Sequence, residues 1–110
     1  MGVTKQTLTP GNGVDRPRSG DDVTIEYTGY LFDASAPQNK GKKFDSSIGR
    51  GDFNVKIGIG RVIKGWDDGI IGADGQEGLS LGEKATLTIS SDYGYGANDV
   101  ELKAVNGKRA

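Results

Sequence analysis

Apolar and polar positions alternate along four segments of the chain, and a period of two is typical of strands with one buried face. In the first segment, DVTIEYTGYLF, β-branched and aromatic residues also dominate, which further favours a strand. One buried face on each segment predicts an antiparallel sheet. The residues expected to face the core are Val23, Ile25 and Tyr27; Phe53, Val55 and Ile57; Ala85, Leu87 and Ile89; and Val100, Leu102 and Ala104.

A single segment, VIKGWDDGI, has helical spacing, with Val62, Ile63, Trp66 and Ile70 at intervals of one, three and four. It predicts a short helix over residues 62–70. Because this segment contains two glycines, intrinsic propensity would not sustain it in water. We therefore expect the helix to depend on packing of Trp66 against the sheet, which makes the fold class α+β.

The length of 110 residues fits one domain with one core, so we expect a single domain over residues 1–110 and a single site. The 19 glycines separate short alternating runs, as in a sheet protein with many turns. Two polar, turn-rich stretches, residues 33–43 and 72–78, are predicted to be mobile surface insertions.

The chain contains neither cysteine nor histidine, and this excludes many kinds of chemistry. Zinc sites, Ser/His and Cys/His triads and most acid–base enzymes at physiological pH need one of these residues. A net charge of -1 gives no long-range field for nucleic acid, so the basic ending GKRA is interpreted as a solvated tail. No apolar run is long enough to span a bilayer, and we expect a soluble protein with no membrane association.

Two other motifs have a simpler explanation than ligand binding. GIGRVIKG suggests a phosphate loop, but Trp66 stands where such a loop needs lysine, and Ile63 stands where a dinucleotide fingerprint needs glycine. The acidic pairs at residues 21–22 and 67–68, and the acidic residues at 74 and 77, lack the spacing of a calcium loop. Turns and helix starts account for them, so no metal or other cofactor is expected.

The aromatic residues allow two interpretations. They can fill the core, or they can line an apolar pocket with a few polar groups. The second is favoured by Phe44-Asp45, which places a carboxylate beside a large aromatic residue, and by Tyr93 and Tyr95 in a glycine turn, where a hydroxyl can reach a pocket rim.

Four motifs follow one another along the chain: GKKFDSS, GRVIKGWDDG, LGEKATLTIS and DYGYGA. Together they closely resemble the FKBP-type peptidyl-prolyl isomerases, the cytosolic immunophilins that bind tacrolimus and rapamycin, and especially the small fungal and animal members. The resemblance covers nearly the whole chain. It implies a twisted antiparallel β-sheet wrapped around one short α-helix, with the ligand pocket between helix and sheet.

The resemblance also implies the residues of the site. Trp66 would form the floor of the pocket, the backbone N–H of Ile63 would bind a substrate carbonyl, and Tyr95 would donate through its hydroxyl. The walls of the pocket would come from Tyr27, Phe44, Phe53 and Val62. Asp45 would make a polar contact. The expected catalytic residues are Tyr27, Phe44, Asp45, Trp66 and Tyr95, and the expected substrate- and drug-binding residues are Phe53, Val62 and Ile63.

The implied activity is prolyl cis–trans isomerisation, which needs no histidine or cysteine because the twisted bond is favoured by an apolar cleft. The implied partners are proline-containing peptides and proteins and macrolide immunosuppressants, with a phosphatase or kinase as the partner of the drug complex. The implied location is the cytoplasm, and the implied state is a monomer.

One departure from the family stands out. Family members continue after the glycine-tyrosine turn with a flap rich in Gly, Ile and Pro, and then with a strand carrying an aromatic residue that lines the pocket. Here all the prolines, Pro10, Pro17 and Pro37, lie in the first third of the chain. We interpret the flap and the first part of that strand as missing between Ala97 and Asp99.

This departure leaves two alternatives to an active isomerase. The chain could be a binding module that keeps the pocket floor but turns over poorly. It could also be a shortened product that folds poorly or completes its sheet by strand exchange, because an unpaired edge invites a partner.

Overall fold

The computed structural model describes residues 3–32, 35, 40–47, 51–73, 76–89 and 96–110. Seven of its strands form one antiparallel sheet in the order β1-β7-β8-β2-β3, with β4 also paired to β2 and β9 to β8. The remaining two strands, β5 and β6, form a separate ribbon. The elements are β1 (Val3–Thr9), β2 (Asp22–Phe32), β3 (Lys40–Ser46), β4 (Phe53–Lys56), α1 (Lys64–Ile71), β5 (Gly72–Ala73), β6 (Gln76–Glu77), β7 (Lys84–Ile89), β8 (Gly96–Val105) and β9 (Lys108–Arg109).

The predicted antiparallel sheet and its buried face are confirmed. The expected inward residues of the first, third and fourth segments are buried, apart from Tyr27, which is half-buried. Alternation identified this face because side chains on a strand point to opposite sides in turn. The buried residues of β2, β7 and β8 are Val23, Ile25, Ala85, Leu87, Ile89, Val100, Leu102 and Ala104.

The prediction for the second segment, which contains Phe53, Val55 and Ile57, is only partly correct. Ile57 is fully buried and Val55 half-buried, but Phe53 is 36% exposed. Phe53 starts the four-residue strand β4 at the margin of the sheet, opposite Ile25 of β2, so one side of its ring has no neighbouring strand to cover it. Phe53 is therefore available to line a cleft.

The outer face of the sheet is less exposed to solvent than alternation predicts. Thr86, expected to face solvent, is only 4% exposed. Its hydroxyl donates to Asp99 at 2.7 Å, and the other carboxylate oxygen of Asp99 lies 2.8 Å from the Lys40 Nζ. Lys40 and Asp99 come from β3 and β8, so the pattern of β7 alone could not predict that Thr86 is buried.

Helix α1 is the one helix in the ranges given above, and it begins at Lys64 instead of the predicted residue 62. Ile63 has a ψ of 148°, which is extended, so the helix can start only after it. The helix approaches β7 closely because its face carries glycines. A Cβ at Gly65 would lie 2.5 Å from Ile89, and a Cβ at Gly69 would lie 2.7 Å from Leu87. Tertiary packing thus replaces the propensity that the glycines remove.

The two stretches predicted as insertions contain regular structure where they are described. Residues 40–43 begin β3, in which Lys43 pairs with Tyr30 of β2. Residues 72–73 and 76–77 form the ribbon of β5 and β6, and Gly78 directly after it is buried. The helix found here is too short and insufficiently apolar to cross a membrane, judged over the described ranges.

Strand β8 begins earlier than its alternating pattern predicts, at Gly96 instead of Asp99. Its pairing with β7 continues without a shift through Ala97↔Thr88 and Asn98↔Leu87. Because β7 ends at Ile89 and pairs there with Gly96, residues 90–95 make the whole connection between the two strands.

Glu83 is a buried carboxylate, 4% exposed, that ties β1 to the turn before β7. It accepts hydrogen bonds from the Ser80 backbone N–H at 3.0 Å, the Thr7 hydroxyl at 2.8 Å and the Lys5 ammonium at 3.0 Å. Burial acts to raise the pKa of Glu83, but these hydrogen bonds together hold it below its ordinary value. The ionised form is therefore favoured by folding.

We expect Glu83→Gln to lower the free energy of unfolding at pH 7 by about 2–3 kcal/mol, because the half-buried Lys5 ammonium loses its counter-charge. A lowered pKa stabilises fully above the unfolded value, about 4.3, and its contribution is lost as pH falls through the folded value. Denaturant unfolding should thus show a gap between the two proteins that narrows below about pH 4.3. The exposed Glu77→Gln is the control, and an equal effect in both variants would contradict this role.

Candidate active site

Three aromatic rings from different elements meet above the sheet. Tyr27 of β2 contacts Trp66 of α1 with ring centroids 4.7 Å apart, and Phe53 of β4 lies 5.9 Å from Tyr27 and 6.4 Å from Trp66. All three pairs are edge-to-face, the arrangement favoured by aromatic quadrupoles. The structure thus brings together three of the predicted site residues, with Trp66 8% exposed at the base and Phe53 at the margin.

A cleft of about 260 Å³ opens beside this cluster, lined by Tyr27, Ser47, Gly51, Asp52 and Phe53. Ser47 positions Tyr27 in the wall of this cleft. The Ser47 hydroxyl accepts the Tyr27 N–H at 2.8 Å, and the Ser47 N–H donates to the Tyr27 carbonyl at 2.9 Å. This reciprocal pair joins the end of β3 to the middle of β2, which holds Tyr27 in place.

Asp52 is the charged residue of this wall, and its charge is balanced from the sheet. Its carboxylate lies 3.4 Å from Lys103 of β8 and 3.4 Å from Arg109 of β9. Lys103 also contacts Glu26 at 3.1 Å, and the hydrogen bond with Glu26 is the main cause of a raised pKa at Lys103. Sequence reasoning missed Asp52, because its partners lie more than fifty residues away in the chain.

Ile63, the predicted carbonyl-binding residue, presents an unused backbone donor. Its side chain is 42% exposed, and its carbonyl accepts the N–H groups of Trp66 at 3.0 Å and Asp67 at 3.3 Å. Its own N–H makes no hydrogen bond to any residue that the structure describes. The N–H precedes the first helical turn, where orphan donors are found.

Val62 lies beside a second cleft. It is half-buried against the core and lines a second cleft of about 380 Å³, together with Gly58, Lys64, Asp67 and Ile71 among others. None of the three aromatic residues above lines this second cleft. The prediction that Val62 forms a wall of the aromatic pocket remains a prediction.

The other predicted residues cannot be placed at the side-chain level. Phe44 and Asp45 lie in β3, where the backbone of Asp45 pairs with Gly29, but their side chains are outside the described part of the structure. Tyr95 lies in the connection of residues 90–95, which is also outside it. Their roles stay predictions.

Two buried nitrogen atoms near the inner face have no hydrogen-bond partner in the described structure. They are Trp66 Nε1 and Asn98 Nδ2. Buried donors are nearly always paired, so each needs an explanation. Asn98 was not predicted as a site residue, although it lies at the junction between Ala97 and Asp99 that the sequence singles out.

Asp67 holds the loop that leads to Ile63. One carboxylate oxygen accepts the Gly58 N–H at 2.7 Å and the other accepts the Gly60 N–H at 3.0 Å. Both glycines have positive φ, 84° and 78°, so the loop needs them for its shape. Asp67 is buried, and it therefore acts as the internal anchor of residues 57–63.

We expect Asp67→Asn to destabilise the domain by about 1–2 kcal/mol, because an amide supplies only one acceptor for the two N–H groups. Amide hydrogen exchange should accelerate at Gly58 or Gly60. The adjacent Asp68→Asn is the control, because Asp68 makes only a helix-surface ion pair with Lys64 at 3.5 Å. Unchanged exchange at both glycines would show that Asp67 does not hold the loop.

The fold and the site define a small α+β domain with an aromatic cleft between one helix and an antiparallel sheet. Comparison with known families matches residues 13–109 to the FKBP-type peptidyl-prolyl cis-trans isomerases. The chain therefore belongs to the FKBP-type peptidyl-prolyl cis–trans isomerase family, and by class it is a rotamase. The predicted family and fold class are confirmed.

Individual relatives agree with this assignment. FK506-binding protein 1A of Aspergillus fumigatus is 50% identical and a peptidyl-prolyl cis-trans isomerase of Schizosaccharomyces pombe is 46% identical, each over 125 aligned positions that cover all of both chains. Against 110 residues, those alignments leave at least 15 positions without a residue here. The crystal structure of AtFKBP13 superposes with a TM-score of 0.74 at 30% identity, covering 96% of this chain and 92% of the other.

Proposed function

We propose that this chain accelerates rotation of X–Pro bonds in the cleft of Tyr27, Phe53 and Trp66, and that the same cleft binds macrolides such as tacrolimus and rapamycin. The supporting observation is the aromatic cluster at the helix start, beside the unused N–H of Ile63. The Aspergillus fumigatus relative is named FK506-binding protein 1A, and FK506 is tacrolimus.

The chemistry suits this composition. Rotation about X–Pro is hindered by amide resonance, with a barrier of about 18–20 kcal/mol. Twisting the bond destroys the resonance, so the transition state is less polar at the imide than the planar ground state. A cleft with aromatic walls disfavours the planar, charge-separated form more than the twisted one. No acid, base or metal takes part in this mechanism.

Binding groups would limit the rotation to one arc. The Ile63 N–H would hold one substrate carbonyl, because Ile63 is an exposed residue and its N–H has no acceptor in the described structure. We further propose the Tyr95 hydroxyl as a second donor, Asp45 as a polar contact, and Phe44 and Val62 as wall residues. When the carbonyls on either side of the X–Pro bond are held, the energy of substrate binding is used to orient that bond for rotation.

The remaining features of the function are also proposals. We infer a monomer that acts on proline-containing peptides and proteins in the cytoplasm. Its macrolide complex would engage a phosphatase or kinase. The short connection after β7 supports a second candidate, a module that binds ligands but isomerises poorly, because a six-residue link leaves no room for a flap over the substrate.

We expect Ile63→Pro to reduce tacrolimus affinity and isomerase activity by roughly 10-fold, because proline removes the N–H. The backbone tolerates proline here, since φ at Ile63 is already -57°. Ile63→Ala is the matched control, because it removes the side chain but keeps the donor. Calorimetry gives the tacrolimus affinity of both folded variants. Equal affinities of Ile63→Pro and Ile63→Ala would exclude the N–H as a binding group.

We expect kcat/KM for a Leu-Pro peptide to lie roughly 10-fold or more below that of the Aspergillus fumigatus relative, because no flap orients the substrate. Tacrolimus affinity should fall less than activity does. Exchange measurements on the peptide and calorimetry with the drug, for both proteins, separate the two quantities. Equal kcat/KM would show that the flap is dispensable, and no rate gain by the folded domain would contradict isomerisation.

A further inference from the structure

Asn98 lies on the inner face of the sheet, diagonally across from Tyr27 of the aromatic cluster. It pairs with Gly29 of β2 on one side and with Leu87 of β7 on the other. Alternation along β8 places it on the same face as the buried Val100. Tyr27 lies two residues before Gly29 on that face, and such diagonal neighbours are within reach of long side chains.

The side chain of Asn98 is buried without a partner. The residue is 2% exposed, and its Nδ2 makes no hydrogen bond. The carbonyl oxygen of this amide is not among the buried unpaired side-chain atoms of the described structure, so the unsatisfied group is the Nδ2 donor. A primary amide in this state destabilises the folded protein, since water would satisfy it in the unfolded chain.

The surroundings suggest what could satisfy the amide. Gly29, directly opposite, has no side chain to fill the space beside it. The described core residues around this face are apolar or aromatic, and Asp45 of β3 pairs with Gly29 from the other side. The second unpaired atom, Trp66 Nε1, is also a donor. Two buried donors with no acceptor indicate that the missing partner is an acceptor, and a carbonyl oxygen is the acceptor that peptides and macrolides share.

We propose that Nδ2 of Asn98 donates a hydrogen bond to a carbonyl oxygen of the peptide or macrolide in the aromatic cleft. Asn98 is then a further binding residue of the site. This inference rests on the proposed function. A bound ligand would then satisfy the buried donor and stabilise the folded domain.

Asn98→Leu tests this with two readouts of opposite sign. Leucine has a similar size and no polar atom, so we expect the melting temperature to rise by about 3–8 °C. Tacrolimus affinity and kcat/KM for a Leu-Pro peptide should each fall by about 2- to 10-fold. Thr88→Val, on the opposite face of β7, is the matched control and should change neither affinity nor activity.

The unmodified protein provides an independent readout. In ¹⁵N spectra, the side-chain amide pair of Asn98 should shift and exchange more slowly with solvent when tacrolimus or a proline peptide is bound. A stabilised Asn98→Leu that binds both ligands as well as the unmodified protein would overturn the proposal. If the Asn98 amide signals do not shift at saturating ligand, the proposal is also overturned, and an internal water is the partner of the amide.

The two proposals fail in different ways. If the unmodified protein neither binds tacrolimus nor accelerates peptide exchange, the proposed function is wrong and the role of Asn98 falls with it. If the unmodified protein does both and only Asn98→Leu shows no loss, the function stands and Asn98 is not part of the site.

Discussion

The close approach of helix α1 to strand β7 is the constraint on which the site depends. Gly65 lies against Ile89 and Gly69 against Leu87, at distances where any Cβ would push the helix away. Trp66 follows Gly65 directly, so this approach determines how far its ring reaches toward Tyr27. The same glycines weaken the isolated helix, so the floor of the cleft exists only while the sheet is intact. Folding and site formation are therefore one event.

Charged groups stabilise the margins of the cleft and leave its base apolar. Asp67 holds the loop before the helix, and Asp52 is balanced by Lys103 and Arg109 from the far side of the sheet. The three rings between these anchors carry no formal charge. This division suits a reaction whose transition state is less polar than its ground state, because charges placed at the rotating bond would stabilise the planar form instead.

The sheet and the helix could be predicted from sequence because each depends on local spacing. Alternation in β2, β7 and β8 identified their buried faces, and one helical segment identified α1. The same reasoning was wrong where a residue depends on distant neighbours. Phe53 is exposed because its strand lies at a margin, and Thr86 is covered by Asp99 and Lys40 from other strands. Asp52 and Asn98 belong to the site only through long-range pairing, so spacing could not reveal them.

The length of the connection between β7 and β8 can affect the function of the site with little effect on the stability of the fold. Its ends are Ile89 and Gly96, which already face each other in the ladder, about 5 Å apart. Flexible loops of different lengths that join two paired residues close at similar cost, since the entropy of closure grows only slowly with length. A connection of six residues is therefore compatible with the observed register of β8. Strand β8 must still supply an inner-face residue opposite Gly29, and in this chain that residue is the polar Asn98.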